Sequence, residues 1–253
     1  YEKIEKDLIN YAKDYRKGNS TQNLDWKDEW YEGCGIEDSD TYIAMYNKML
    51  SSIYTNGGFW ISRYEIGDAT ATESNTARTS ISGISGKAVS QANQIPYNLV
   101  TCSDAQTLAG GMTTNNNKIS SLLFGIQWDL VCKFLEENSD LEFADISENS
   151  PNWGNYKDST IAITNNNAKQ YNSSIWSSIT GKKIENNSIL LTTKASEQTR
   201  IMNIYDFAGN EWELTLEYAV LNSPTVRRGG NYNSNGYEIP ISSRSAIQFG
   251  GKN

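Results

Sequence analysis

Histidine is absent from the 253 residues. That gap removes Ser-His-Asp and Cys-His nucleophilic sites, imidazole-ligated zinc and histidine-bound iron, since each needs an imidazole as base or ligand. Cysteine is scarce. Cys34, Cys102 and Cys132 show no C-x-x-C spacing, which fits neither a zinc knuckle nor a dense disulfide framework. Cys102 and Cys132 lie in apolar-periodic helical stretches and read as buried small hydrophobes, whereas Cys34, in a Gly-rich loop, reads as the exposed thiol. Long apolar runs are missing too. None approaches the ~20 residues that span a bilayer, and no basic segment followed by an apolar one opens the chain, which as given reads as soluble. It begins at Tyr1 rather than Met, so a signal or anchor segment ahead of it remains compatible. Basic residues are outnumbered: 22 Lys and Arg against 30 Asp and Glu give a formal net charge of -8. That is the wrong sign for a phosphate backbone, so nucleic acid is not an expected ligand.

What the sequence does have is the length for one large domain or two small ones, with clear punctuation. Residues 1 to about 55 predict two helices. The first carries Ile4, Leu8, Tyr11 and Tyr15 on one face. The second follows the acidic stretch Glu37 to Asp40 and repeats Ile43, Tyr46, Met49, Leu50 and Ile53. With the Gly/Asn/Ser-rich stretch around Lys17 to Asn23 between them, they predict a helical hairpin packed on the main domain. Gly57 and Gly58 end the second helix, and Phe59 through Ile66, rich in aromatic and β-branched residues, predicts a strand. Asp68 to Asn93 lacks periodicity and predicts a long surface loop. Ser103, as N-cap, opens a helix ending at Gly110-Gly111. A further helix begins near Gly125 and carries Ile126, Trp128, Leu130, Val131, Phe134 and Leu135, and both should pack on a sheet. Asn152 to about Gln198 predicts loops with short edge strands at Thr160 to Thr164 and Ile189 to Thr193, low complexity being the alternative at Asn165 to Asn167.

Two segments carry a resemblance. Tyr205-Asp206-Phe207-Ala208-Gly209-Asn210-Glu211-Trp212-Glu213-Leu214-Thr215 is a turn entering a strand, followed by Arg227-Arg228-Gly229-Gly230-Asn231-Tyr232. Together they resemble the GNxWEW…RGGS signature of the formylglycine-generating-enzyme (sulfatase-modifying factor) family, whose fold is an elaborated C-type lectin fold. Gly58 to Gly67, Tyr97 to Ala109, Leu122 to Trp128 and Ser242-Ser243-Arg244-Ser245-Ala246 resemble further family segments in the same order, so the match covers about Gly57 to Ala246. The resemblance implies an α+β chain: a C-type-lectin-like, formylglycine-generating-enzyme-like domain over 57–253, preceded by an N-terminal helical segment over 1–56. Two departures limit the functional implication. The family's closing G-F-R strand is not seen after Phe249, and its copper-binding cysteines fall on Ser234 and Ile239. Oxidase chemistry is therefore not expected, nor are copper, zinc or iron. The iron-dependent sulfoxide synthases of the same fold need a histidine triad, which this composition excludes.

By the same resemblance the turn would hold calcium through Asp206, the carbonyls of Gly209 and Glu211, and the Glu213 carboxylate. Three carboxylates in eight residues supply the hard oxygens calcium takes. The alternative is a turn that Asp206 and Glu213 cap or hydrogen-bond, with Gly209-Asn210 at positive φ, Asn210 fixing the turn and Trp212 in the core. Glu211 and Glu213, as alternate strand residues, would stand roughly 7 Å apart, near an inverting glycosidase's spacing, although an acidic chain offers many such pairs. Arg227 and Arg228 would pair with carboxylates at the strand end or face a ligand.

Asn231, Tyr232, Asn233, Ser234, Asn235 and Tyr237, with Glu238 beside them, have the composition of a recognition surface. Tyr offers rigid amphipathic area, and Asn and Ser offer adaptable hydrogen bonds. An ordinary polar loop is the alternative. The resemblance extends to non-catalytic members of the fold, including the variable proteins of diversity-generating retroelements in phages and bacteria. These display changeable residues in this C-terminal region, where adenine-rich codons favour Asn, Tyr and Ser. The expectation is a non-catalytic ligand-binding protein, extracellular, at a cell surface or on a phage tail, whose loop meets a protein or a glycan, as a monomer or an oligomer. The alternatives are a formylglycine-generating oxidase with a displaced site drawing on Cys102 or Cys132, and a structural part of a surface or tail assembly.

Overall fold

A computed structural model of the chain describes residues 1–16, 31, 33–71, 87–113, 118–171, 175–220, 223–248 and 250–251. With ~30% helix and 20% strand, the strand in several small antiparallel sheets, the chain is mixed α+β. No described helix is long and apolar enough to cross a membrane.

The predicted first helix is two pieces, α1 (Glu2–Tyr11) and α2 (Lys13–Arg16), which part at Ala12. The break rotates the apolar face. Tyr15 is buried, whereas Tyr11 is 48% exposed and hydrogen-bonds Glu137. The second predicted helix is α3 (Ser39–Asn56). Asp38 caps it, accepting the Thr41 N–H at 2.7 Å, and Gly57 closes it in the left-handed conformation. The segment linking the two, 17–23, lies outside the described residues.

α4 (Cys102–Gly110) is capped by Thr101, two residues ahead of the predicted Ser103. Thr101 accepts the Asp104 N–H at 3.1 Å, and Asp104 returns the bond to the Thr101 N–H at 3.4 Å. Gln106 accepts the Leu122 N–H at 3.0 Å. α5 (Gly125–Asn138) buries Ile126, Trp128, Leu130, Val131 and Leu135 as its period predicts, but Phe134 is 43% exposed. α6 (Phe143–Ser147) follows.

Phe59 to Ile66 is not a strand. Its backbone groups go to separate partners instead of one ladder: the Ser90 hydroxyl meets Tyr64, Tyr97 N–H donates to Ile66, and Tyr205 N–H donates to Arg63. Pairing begins only at β1 (Gly67–Asp68), which meets β2 (Ala88–Val89) and, through Gly67, Pro96, pinning both ends of the predicted 68–93 loop; 72–86 lie outside the described residues. The 152–198 stretch does hold short strands. β3 (Ile161–Ile163) pairs with β6 (Gly181–Lys183), and β4 (Lys169–Tyr171) lies between β5 (Trp176–Ser178) and β7 (Leu190–Leu191). β8 (Arg200–Ile201) pairs with β9 (Ile204–Tyr205). The longest sheet is antiparallel, in the order β10 (Glu213–Val220), β11 (Ser223–Arg228), β12 (Arg244–Ile247), with α4 and α5 packed on β10.

Two apolar clusters make up most of the core, the first of them reaching β10. One joins Tyr42 and Leu50 of α3 to Val100, Phe124, Leu214 and Leu216. The other gathers Trp128, Leu135, Trp153, Tyr156, Phe207 and Ile241. All three cysteines are buried and free of disulfides. The expectation of an exposed Cys34 is therefore overturned. The 33–35 loop is pressed onto the start of α4, and the Cys34 thiol is hydrogen-bonded to Cys102, which together with burial pushes its pKa up.

A buried ionic network ties these parts together. Arg228 of β11 and Arg244 of β12 are direct cross-strand partners, and two carboxylates hold the like charges side by side. Arg228 donates to Asp129 of α5 at 2.8 Å and to Glu217 of β10 at 3.0 Å. Arg244 donates to Glu217 at 2.8 Å, to Asp129, and to the Tyr15 carbonyl of α2. Arg16 adds a third guanidinium 3.6 Å from Asp129. Burial opposes ionisation of Glu217, yet Arg244 and Arg228 pull its pKa down to about 2. Arg227, next to Arg228 in sequence, makes no such pair among the described residues: it stacks on the Trp212 ring at 4.4 Å and bonds to Ser245 at 3.3 Å. Removing one partner of a buried ion pair costs about 3–5 kcal/mol because the other is left uncompensated. Asp129→Asn is expected to lose that much in urea unfolding, and Arg227→Ala about 1 kcal/mol; equal losses for the two would contradict the assignment.

Candidate functional site

The segment between β9 and β10 turns sharply because three of its residues take positive φ: Asp206 at 57°, Gly209 at 71° and Asn210 at 61°. Glycine is required at 209, where a Cβ would stand 2.4 Å from the Asn155 carbonyl oxygen. Asn210 then fixes the turn. Its Oδ1 accepts from Asn155 Nδ2 at 2.8 Å and from the Leu191 N–H at 3.0 Å, and its Nδ2 donates to Glu65 at 2.5 Å. Trp212 is buried behind it.

Asp206 serves the turn with both oxygens, accepting the Lys194 N–H and the Thr199 hydroxyl, each at 2.7 Å. Glu211 precedes the strand that Glu213 opens, so the two are not alternate strand residues as the glycosidase spacing supposed. Among the described residues, no three carboxylates or thiols are placed to hold one metal ion. Asp206, Gly209, Glu211 and Glu213 share this turn and the entry to β10.

Glu65 is the functional candidate that sequence reasoning missed. An acidic residue inside an aromatic run was its one signal. Its carboxylate accepts the Glu211 N–H at 3.0 Å beside the Asn210 bond, which brings it onto the turn across 146 residues of sequence. Burial, then Asp206 and Glu211 nearby, push the Glu65 pKa well up. Burial, then Glu65, do the same to Glu213. Burial alone, against two hydrogen bonds, raises Asp206 to about 6. These carboxylates line one side of a cavity of about 850 Å³, walled by α3, α4, the 58–66 segment and the start of β10.

The 231–237 loop leaves β11 at Gly229, where a side chain would collide with Glu213 at 2.3 Å. The Gly229 carbonyl accepts from the Gly209 N–H at 3.0 Å and from the Tyr156 hydroxyl, so the turn and the loop share an anchor. The loop itself is tightly held. Asn231 accepts from Asn233 N–H at 3.2 Å and from the Ser234 hydroxyl at 2.8 Å, Tyr232 N–H donates to the Asn210 carbonyl, and Asp158 accepts the Gly236 N–H at 2.9 Å. Asn233, Tyr237 and Glu238 face solvent, whereas Asn231, Tyr232, Ser234 and Asn235 are partly buried in these contacts.

No family model matches the chain, and neither a curated protein nor a solved structure matches it.

The raised Asp206 pKa has a sign. The folded state holds this proton more tightly than an ordinary carboxylate of pKa 3.8, so its contribution to stability is present below about 4 and lost as pH rises through about 6. The stability of the wild type relative to Asp206→Asn should therefore fall as pH is raised across that window, read by urea unfolding at stepped pH. A difference that is flat or rises would contradict it.

Proposed function

We propose that this chain is a non-catalytic binding protein that offers Asn233, Tyr237 and Glu238, on the held 231–237 loop, to a protein or glycan partner. The observation that carries the proposal is the loop's construction: backbone bonds to Asp158 and Asn210 fix it while Tyr237 stays 55% exposed. Little conformational entropy is then left to lose on binding, which is the condition under which a small polar and aromatic surface gains affinity. A C-type-lectin-like frame of the formylglycine-generating-enzyme kind is the fold we propose for 57–253. A central antiparallel sheet with two helices on one strand supports it, as does Arg228-Gly229-Gly230 leading from the sheet into the loop. Ser234 and Ile239 at the aligned positions of the family's thiols, with all three cysteines buried, support the absence of oxidase activity.

The test is a glycan array and a panel of whole bacterial cells, probed with the labelled chain and with the Asn233→Ala/Tyr237→Ala variant. A signal that drops about ten-fold or more in the variant, with an unchanged urea midpoint, is the expected result. Binding that survives the double substitution contradicts the loop assignment, and conversion of a cysteine peptide by the copper-loaded chain contradicts the non-catalytic one.

A further inference from the structure

The two groups of buried carboxylates in this fold are treated differently. Asp129 and Glu217 face three guanidiniums. Glu65, Asp206 and Glu213 line the cavity beside the turn, and among the described residues no Lys or Arg forms an ion pair with any of them. Lys48 and Lys118, which also border the cavity, are solvent-exposed. Two residues of the lining hold a buried polar atom without a hydrogen-bond partner: Glu213 at Oε2, and Tyr97, itself 9% exposed, at its hydroxyl. Buried polar atoms are ordinarily satisfied, so two such residues bordering one cavity point to a place where another molecule's donors belong.

The rest of the lining defines that molecule. Met49 of α3, Val100, Phe124 and Phe207 give the cavity apolar walls, and Trp60, 99% exposed, also borders it. Its volume of about 850 Å³ is within the range that small-molecule sites use. A metal ion does not suit apolar walls, and no three carboxylates are placed to hold one among the described residues. We propose that this cavity binds a small organic cation, an ammonium group carried on an apolar or aromatic body, with the charge against Glu65 and Glu213 and the body among the apolar walls. A carboxylate pair without a counter-charge and an aromatic at the border are the two features that attract an organic ammonium. None of residues 231–238 lines the cavity, so the site is separate from the loop surface and the two proposals fail independently.

The experiment is calorimetric titration of the full chain with phenethylammonium, tryptammonium and benzyltrimethylammonium, against the neutral phenethyl alcohol and the anionic 3-phenylpropionate, at about pH 8. At least one cation is expected to bind about ten-fold or more tightly than the alcohol, and the anion not to bind. Glu213→Gln should erase that preference and leave the alcohol's affinity unchanged. If that variant does not fold, Trp60→Ala, at an exposed position, should weaken the cation several-fold. Equal affinity for cation and alcohol, no binding of any cation at about 10 mM, or displacement of the cation by calcium would each overturn the proposal.

Discussion

Everything else in the structure depends on the burial of Arg228 and Arg244 beside each other on adjacent strands. Two guanidiniums in that register repel, and they stay only because Asp129 and Glu217 lie between them and the rest of the core. Each carboxylate comes from a different element, α5 and β10, and the Tyr15 carbonyl and Arg16 bring in α2. The network therefore sets the position of a helix, three strands and the N-terminal segment at once. An apolar core of similar volume would tolerate sliding; a fork of directed hydrogen bonds does not. Tyr42, whose hydroxyl donates to the Leu216 carbonyl at 2.5 Å, fastens α3 to the same strand.

With β10 held at Glu217 and β11 at its last residue, Arg228, the segments that enter and leave them are fixed too. β10 is entered from the turn at 206–211, and β11 leaves through Gly229 into the 231–237 loop. Gly229 and Gly209 are hydrogen-bonded to each other, so the two surfaces spring from one point. They differ in chemistry. The loop shows a rigid polar and aromatic face to water, while the turn faces an apolar cavity with carboxylates that carry raised pKa values. The same fold neutralises one set of buried carboxylates with arginine and leaves the other without a described counter-charge, and this contrast gives the cavity its proposed selectivity for cations.

Much of this was legible wherever local chemistry decides. The 3.6-residue apolar period of α3 and α5, the left-handed Gly57 and the polar 205–215 turn all arise from neighbours in sequence. The misses have tertiary causes. Phe59 to Ile66 has strand composition, but its backbone partners are distant and separate, so no ladder forms. The cap of α4 is Thr101 in place of Ser103, with Asp104 completing the reciprocal pair. Cys34 looked exposed in its glycine-rich loop until that loop was pressed onto α4. Arg228 was legible as a partner for carboxylates, but neither Asp129, 99 residues away, nor the role of Arg244 could be read from spacing. Glu65 belongs to the site only through long-range bonds to Asn210 and Glu211, which a period or a motif does not encode.

The central claim is that the Arg228–Arg244–Asp129–Glu217 network joins the N-terminal helices and the β10–β12 sheet into one cooperative unit. Native-state hydrogen exchange tests it most directly. The slowest amides of α3, α5 and β11 should share one opening free energy, equal to that of global unfolding, and fall together in Arg244→Met. Exchange of α3 at a distinctly lower free energy than β11, unaffected by Arg244→Met, would contradict the claim.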